Sequence, residues 1–391
     1  MGTTLSKKIR SVTSALSVTT SLKWLSPSTR HNAKRIVAWF GEQLNKVCFW
    51  NWEVVRFPMN TGQPYNIIYI GRKINLNLAK ALINVSQNAD ITTTGNGSDG
   101  RVIVSEIPFP GSMCVPSLLN SIVPLGRPID EITANFHSQL RRNLKKNRRS
   151  YRLRQVLNNA EIEQVDREML RPYAIARHGM GAAQVELDEV KRGAQEYGRL
   201  DLLLLGDEVV GWQLSHDTTR LGKRYWSTSR CGYTEAVFSD PKRLRDINSF
   251  NIYLAMEWAI VNDFDYYDIG VSLGRPGDGL LEWKRRRGGE LSTLDSCHFL
   301  YIRPPKLGKA QFFWDAPLFE VDHHKLTLHL GLPDGPSDEE VNIRHREMGF
   351  RGLSKIYLHC ARLPAEHILE TLQSFYAHQK NPPVIEIVVS K

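Results

Sequence analysis

Between Leu200 and Arg230 the chain alternates as only a β-sheet requires. Leu200–Leu205, Glu208–Asp217 and Lys223–Arg230 read as three strands, joined by Gly206-Asp207 and by a looser turn containing Gly222. Val210, Trp212 and Leu214 alternate with Gly211, Gln213 and Ser215, the two-residue period of a strand with one packed face. Such an antiparallel meander confines the chain to mixed α/β folds, because helical patterns flank it on both sides.

The meander feeds into a crossover unit at Asp240–Leu291. A basic loop (Lys242, Arg243, Arg245) leads to a helix expected to start at Asn248 or Ser249 and to end around Asn262. Tyr266–Val271 reads as a buried strand. A glycine-rich loop (Gly274, Gly277, Gly279) and a helix carrying the cations Lys284 to Arg287 follow. Helix, strand, loop and helix form a right-handed crossover with cationic mouths. Phe299–Arg303 is expected to close the sheet.

Upstream, Phe136, Leu140 and Leu144 make an apolar stripe on a helix otherwise filled by Arg141, Arg142, Lys145, Lys146, Arg148 and Arg149. That helix reads as a solvated face or as an anion-binding one. A second helix, Glu161–Ala176, ends in Arg177-His178-Gly179, where His178 caps the last carbonyls or faces a substrate.

The flanks look different. Residues 1–40 form a Ser/Thr-rich arm with seven cations and no acid, and this arm supplies most of the net charge of +10. The remaining body is nearly balanced, so the charge is no evidence for nucleic-acid binding. The arm reads as solvated, with an organellar transit peptide or a membrane-surface helix as alternatives. Residues 41–125 suggest a small α/β region, with strands at Trp52–Arg56, Asn66–Ile70 and Val102–Ser105, a helix at Leu76–Val85 and a polar turn at Thr92–Gly100. Residues 304–391 follow Pro304-Pro305 and read as a βαβαβ module. Its histidines match no ligand spacing, so no metal is expected. The five cysteines are scattered without a C-x-x-C pair, which suits a reducing, cytoplasmic compartment.

The order of elements over 126–303 resembles the Gcn5-related N-acetyltransferase fold. It is most similar to the branch containing the FemAB peptidyltransferases and the cellulose-biosynthesis-associated acetyltransferases. The resemblance rests on LRRNLKKNRR at Leu140–Arg149, RHG at Arg177–Gly179, GDEVVGWQL at Gly206–Leu214, YYDIG at Tyr266–Gly270 and GLLEWKRRRGGE at Gly279–Glu290. It implies a mixed sheet in which an antiparallel meander precedes a splayed parallel pair, here Tyr225–Cys231 and Tyr266–Val271. Residues 41–125 would then be a degenerate half-domain shaping a substrate groove.

The implied activity is transfer of an acyl group to an amine acceptor, whether a small molecule, a peptide or an envelope precursor. The donor would be acyl-CoA (acetyl or longer), an acyl carrier protein, or an aminoacyl-tRNA as in the FemAB relatives. Asp268 and Tyr267, then Ser272 and Tyr233, are the expected catalytic groups. Lys242, Arg243, Arg245, Asn248 and Ser249 would hold donor phosphates, and His178, Gln213 and Lys284 the substrate. The segment Arg245-Asp246-Ile247-Asn248-Ser249-Phe250 departs from the resemblance, since it lacks the glycines of a coenzyme A cradle. A non-catalytic binding module on the same fold is the remaining alternative.

Overall fold

The computed structural model describes residues 52–57, 65–85, 100–178, 186–294, 296, 298–377 and 379–389 of the 391-residue chain. The basic arm and nearly all of the Thr92–Gly100 turn lie outside the described residues.

The first sheet begins with β1 (Trp52–Phe57) and β2 (Asn66–Arg72), followed by α1 (Leu76–Leu82), β3 (Arg101–Ser105) and β4 (Met113–Pro116). The chain then enters the central sheet through β5 (Leu118–Pro124). It continues through α2 (Ser138–Asn147), β6 (Tyr151–Val156), α3 (Asn159–Val165), a π-turn at Asp166–Leu170, α4 (Arg171–His178) and α5 (Leu187–Gln195). The meander is β7 (Gly198–Leu205), β8 (Glu208–Arg220) and β9 (Lys223–Tyr233). After it come α6 (Pro241–Val261), β10 (Tyr266–Leu273), α7 (Gly279–Arg285) and β11 (Glu290–Ser292). The chain closes with β12 (Phe299–Arg303), α8 (Lys309–Asp315), β13 (Leu318–Asp322), β14 (Lys325–Leu332), α9 (Asp338–Glu347), β15 (Lys355–Cys360), α10 (Glu366–Ser374) and β16 (Val384–Val389).

The central sheet has the order β11-β5-β10-β9-β8-β7-β6. Its meander is antiparallel, and β9 and β10 are parallel. This is the mixed sheet that the sequence reading expected. The C-terminal sheet, β13-β14-β15-β16, pairs β14, β15 and β16 in parallel through α9 and α10, the βαβαβ order expected for that stretch.

Two expectations are corrected. Phe299–Arg303 does not close the central sheet, because β12 lies between β3 and β4 in the first sheet. Its place beside β10 is taken by β5, whose Asn120 and Ser121 are buried at 1% exposure each. A strand covered on both faces need not alternate, so β5 carries no period-two signal.

The second correction concerns α6, which starts at Pro241 and not at Asn248 or Ser249. Asp240 caps it, accepting the N–H groups of Lys242 at 2.9 Å and Arg243 at 3.1 Å. Proline at the first helical position sets φ for the helix and sacrifices no bond there. The supposed basic loop is therefore the first turns of α6. Phe250, Ala255, Met256 and Ala259 of α6 are fully buried against Trp226 and Tyr267 of the sheet. At about 1.5–3 kcal/mol for each large apolar side chain, this packing locks α6 across β9 and β10.

Candidate active site

The parallel ladder between β9 and β10 lasts for three pairs, Tyr225–Tyr266, Trp226–Tyr267 and Ser227–Asp268. Both strands continue past it, to Tyr233 and Leu273, without pairing to each other. The cause lies at Gly270. A bulge against β5 falls between Asp268 and Gly270, and Gly270 takes the left-handed conformation (φ +83°) that suits glycine. The Asp268 carboxylate accepts the Gly270 N–H at 2.7 Å, and Lys284 Nζ donates to the Gly270 carbonyl at 2.7 Å. Both backbone groups of Gly270 are thus satisfied by side chains instead of by β9. The strands part without leaving an orphaned amide at the branch.

A cavity of about 770 Å3 occupies the gap, lined by Thr228–Cys231 and Tyr233 on one side and Tyr267, Ile269 and Val271 on the other. Of the residues expected from sequence, the cavity brings together Tyr233, Tyr267, Gln213, Lys284 and Asn248. Lys284 is only 2% exposed, and burial pulls its pKa down to about 8, a drop limited by the negative charges of Asp268 and Asp278. Both tyrosines stay protonated, because burial raises their pKa values well above that of free phenol. The Tyr233 hydroxyl donates to Asn248 Oδ1 at 2.8 Å, and that of Tyr267 lies 2.9 Å from Thr228 Oγ1.

The other expected residues are elsewhere. Asp268 does not line the cavity; along the strand it points opposite to Tyr267. Its carboxylate is paired with Arg220 Nη2 at 2.8 Å and accepts from Ser227 Oγ at 3.3 Å. Its contacts are thus with Arg220, Ser227 and the Gly270 backbone at the branch, away from the cavity. Ser272 is buried where β10 pairs with Leu119 of β5, and its hydroxyl makes no hydrogen bond among the described residues. Ser249 is taken up by buried Arg287, whose Nη2 lies 3.1 Å from its hydroxyl. Lys242 and Arg245 are exposed on α6, and Arg243 pairs with Glu208 at 2.7 Å; none of the three lines the cavity. The amides that a donor phosphate would use at the α6 N-terminus are occupied by the Asp240 carboxylate. His178 ends α4, and its side chain lies outside the described residues.

Sequence reasoning missed three polar residues that line the cavity, Asn251, Trp212 and Arg230. Asn251, one helical turn from Asn248, has a buried Oδ1 without a hydrogen bond. The same is true of Trp212 Nε1 and of Gln213 Oε1. Arg230 is half-buried on the cavity wall. The Asn248–Asn251 spacing was visible as one helical face. The rest depended on knowing which strand edge opens.

A second cavity, of about 630 Å3, is lined by Arg141, Lys145, Lys146, Arg148 and Arg149 together with Asp130 and Tyr253. Among the described residues no group of three or more His, Cys, Asp or Glu side chains could hold a metal ion. No described helix is long and apolar enough to cross a membrane. In the C-terminal module, His329 bridges Glu320 and His359 at 2.9 Å each, an internal network beneath Phe313.

No family model matches the sequence, and no curated protein matches it. Solved structures align with it at low identity. FemX is 12% identical over 67% of this chain and 90% of its own, with a TM-score of 0.37. L-PGS from Bacillus licheniformis is 14% identical over 69% and 91% of the two chains, with a TM-score of 0.34. A GCN5-related N-acetyltransferase from Anabaena variabilis ATCC 29413 is 10% identical over 85% of each chain, with a TM-score of 0.28.

Proposed function

We propose that the protein transfers an acyl group to an amine in the cleft between β9 and β10. The observation that carries this reading is the clamped branch at Gly270, which opens the sheet beside a buried lysine with a pKa of about 8. Acyl transfer needs an amine relieved of its proton and held against a carbonyl, with donors near the developing oxyanion. A base works best when its pKa lies near the working pH, and Lys284 meets that condition. Tyr267, kept neutral by burial, serves as a hydrogen-bond donor to the carbonyl or the leaving group, while Tyr233 donates to Asn248 and holds that side chain at the cleft. In the balanced step the amine nitrogen bonds to the acyl carbon and the bond to the donor heteroatom breaks. The amine proton passes to Lys284 and from there, directly or through water, to the leaving group, so Lys284 ends the step as it began it.

The donor is an acyl thioester of coenzyme A or of a carrier protein, or an aminoacyl ester on tRNA. The second source is favoured by one specific pairing of facts. The α6 N-terminus is closed to phosphates by Asp240, and a cationic cavity stands beside α2 instead. Phosphate recognition by such a cluster is electrostatic and therefore salt-dependent.

The experiment is an assay of amine acylation with a panel of acyl-CoA donors, run beside aminoacyl-tRNA. Thiol release would identify the first donor class. Transfer from tRNA that weakens with salt and with Lys145→Glu/Lys146→Glu would identify the second. No transfer from either class would refute the reading.

A further inference from the structure

The walls of the cleft carry a charge pattern that the acyl-transfer reading does not use. Among the described residues, no Asp or Glu side chain lines it, whereas Arg230 and Lys284 are both present. Lys284 is engaged with Gly270, but Arg230 makes no hydrogen bond or ion pair with the described residues. The carboxylate whose field reaches it, Asp166, is held by Arg171 at 2.7 Å.

Next to Arg230 stands a second donor without an acceptor. Trp212 is 2% exposed, lines the same cleft, and its Nε1–H has no partner among the described residues. The β8–β9 register pairs Trp212 with Gly232 and Leu214 with Arg230. Trp212 and Arg230 are therefore diagonal neighbours on one face of the ladder, within reach of a shared ligand. A buried indole N–H left unpaired costs about 1–3 kcal/mol, and an oxyanion set between it and the guanidinium removes that cost.

The cleft holds unpaired acceptors as well. Gln213 Oε1 and Asn251 Oδ1 line the same cavity and suit N–H or O–H groups of a ligand, while Gln213 Nε2 is a further unpaired donor among the described residues. A plain cation such as a polyamine meets no counter-charge in this cleft and two like charges.

We infer that the cleft selects an amine that also carries an oxyanion, carboxylate or phosphate, with Arg230 and Trp212 holding the oxyanion. This deepens the acyl-transfer reading, on which it rests for the identity of the amine as acceptor. Arg230 and Trp212 are then specificity-determining contacts distinct from Lys284.

The test is equilibrium binding to the full chain, without any donor, of two matched pairs. One is alanyl-alanine against its C-terminal amide, and the other is phosphoethanolamine against ethanolamine. The charged member of at least one pair is expected to bind roughly tenfold tighter or more than its neutral partner, the worth of one charge-assisted bond. The pair that discriminates tells carboxylate from phosphate. Arg230→Gln should bring that ratio to near one, and Trp212→Phe, which removes the N–H together with the five-membered ring, should lower it. Arg230→Lys serves if the glutamine variant does not fold; it should retain part of the ratio by charge alone. Equal binding within both pairs, no binding at millimolar concentration, or a ratio that survives Arg230→Gln overturns the inference. Because binding is read without a donor, failure of acyl transfer would refute the proposed function and leave this result standing.

Discussion

Asp268 and Lys284 grip the two backbone groups of one residue, Gly270, from opposite sides. The carboxylate takes its N–H at 2.7 Å and the ammonium its carbonyl at 2.7 Å. That pair converts a continuous parallel ladder into a forked one. It also brings a carboxylate near a buried lysine, which keeps the lysine pKa from falling further than about 8.

Replacing Lys284 by methionine should reduce acyl transfer by about 100-fold or more, the usual worth of a general base. The wild-type rate should rise with pH through a limb near 8, and that limb should be missing in Lys284→Met. Stability provides a separate check. The folded lysine releases its proton at about 8, below the unfolded value of 10.5. Between these values the unfolded chain binds more protons, so stability should increase with pH there in the wild type only. A rate limb that persists in the variant would remove Lys284 from the mechanism.

Asp268→Asn should act on stability first. The amide oxygen can still accept the Gly270 N–H, but Arg220, at 7% side-chain exposure, loses its counter-charge. Breaking a buried pair from one side costs about 3–5 kcal/mol. Denaturant unfolding should show that loss, and Asp268→Asn combined with Arg220→Met should recover part of it. A variant of unchanged stability that has lost all activity would return Asp268 to the catalytic list.

Gly270→Ala probes the fork itself. A Cβ at this position meets no atom within 4 Å, so the penalty is conformational and not steric crowding. Holding alanine at φ +83° costs about 1–2 kcal/mol. A small fall in melting temperature with a larger fall in transfer rate is the expected signature, measured by calorimetry beside the acylation assay.

His345 should make the C-terminal module acid-sensitive. It is 1% exposed in α9, neither ring nitrogen has a partner among the described residues, and burial lowers its pKa to about 4. Its folded pKa lies below the unfolded value of 6.5, so the unfolded chain binds the extra proton between those limits. Stability should fall as pH drops from 6.5 towards 4, by up to about 1.4 kcal/mol per pH unit from this one group. His345→Met should flatten the slope; urea unfolding at pH 7, 6 and 5 measures it.

Local pattern was enough for the elements that alternate or repeat on their own. The β7–β8–β9 meander, the crossover from β9 to β10 and the βαβαβ order after Pro304 all follow from periodicity and turn residues. So did the divergence of β9 and β10, given the family resemblance. The start of α6 was also legible, because Asp240-Pro241 is a cap followed by a first-turn proline, and reading Lys242–Arg245 as a loop overlooked it.

What only the tertiary structure decided is non-local. Which face of β10 Asp268 occupies relative to the cleft depends on Arg220, Ser227 and a bulge against β5, a strand almost 150 residues earlier in the chain. Phe299–Arg303 has a strand's composition in either sheet, and pairing with β3 and β4 rather than β10 follows from β5 already holding that edge. Arg230 and Trp212 looked like ordinary strand residues. They line the cavity only because the ladder ends at Ser227 and the strands part beyond it. Sequence sets which local elements are stable; the competition among them for partners settles which side chains are left without one.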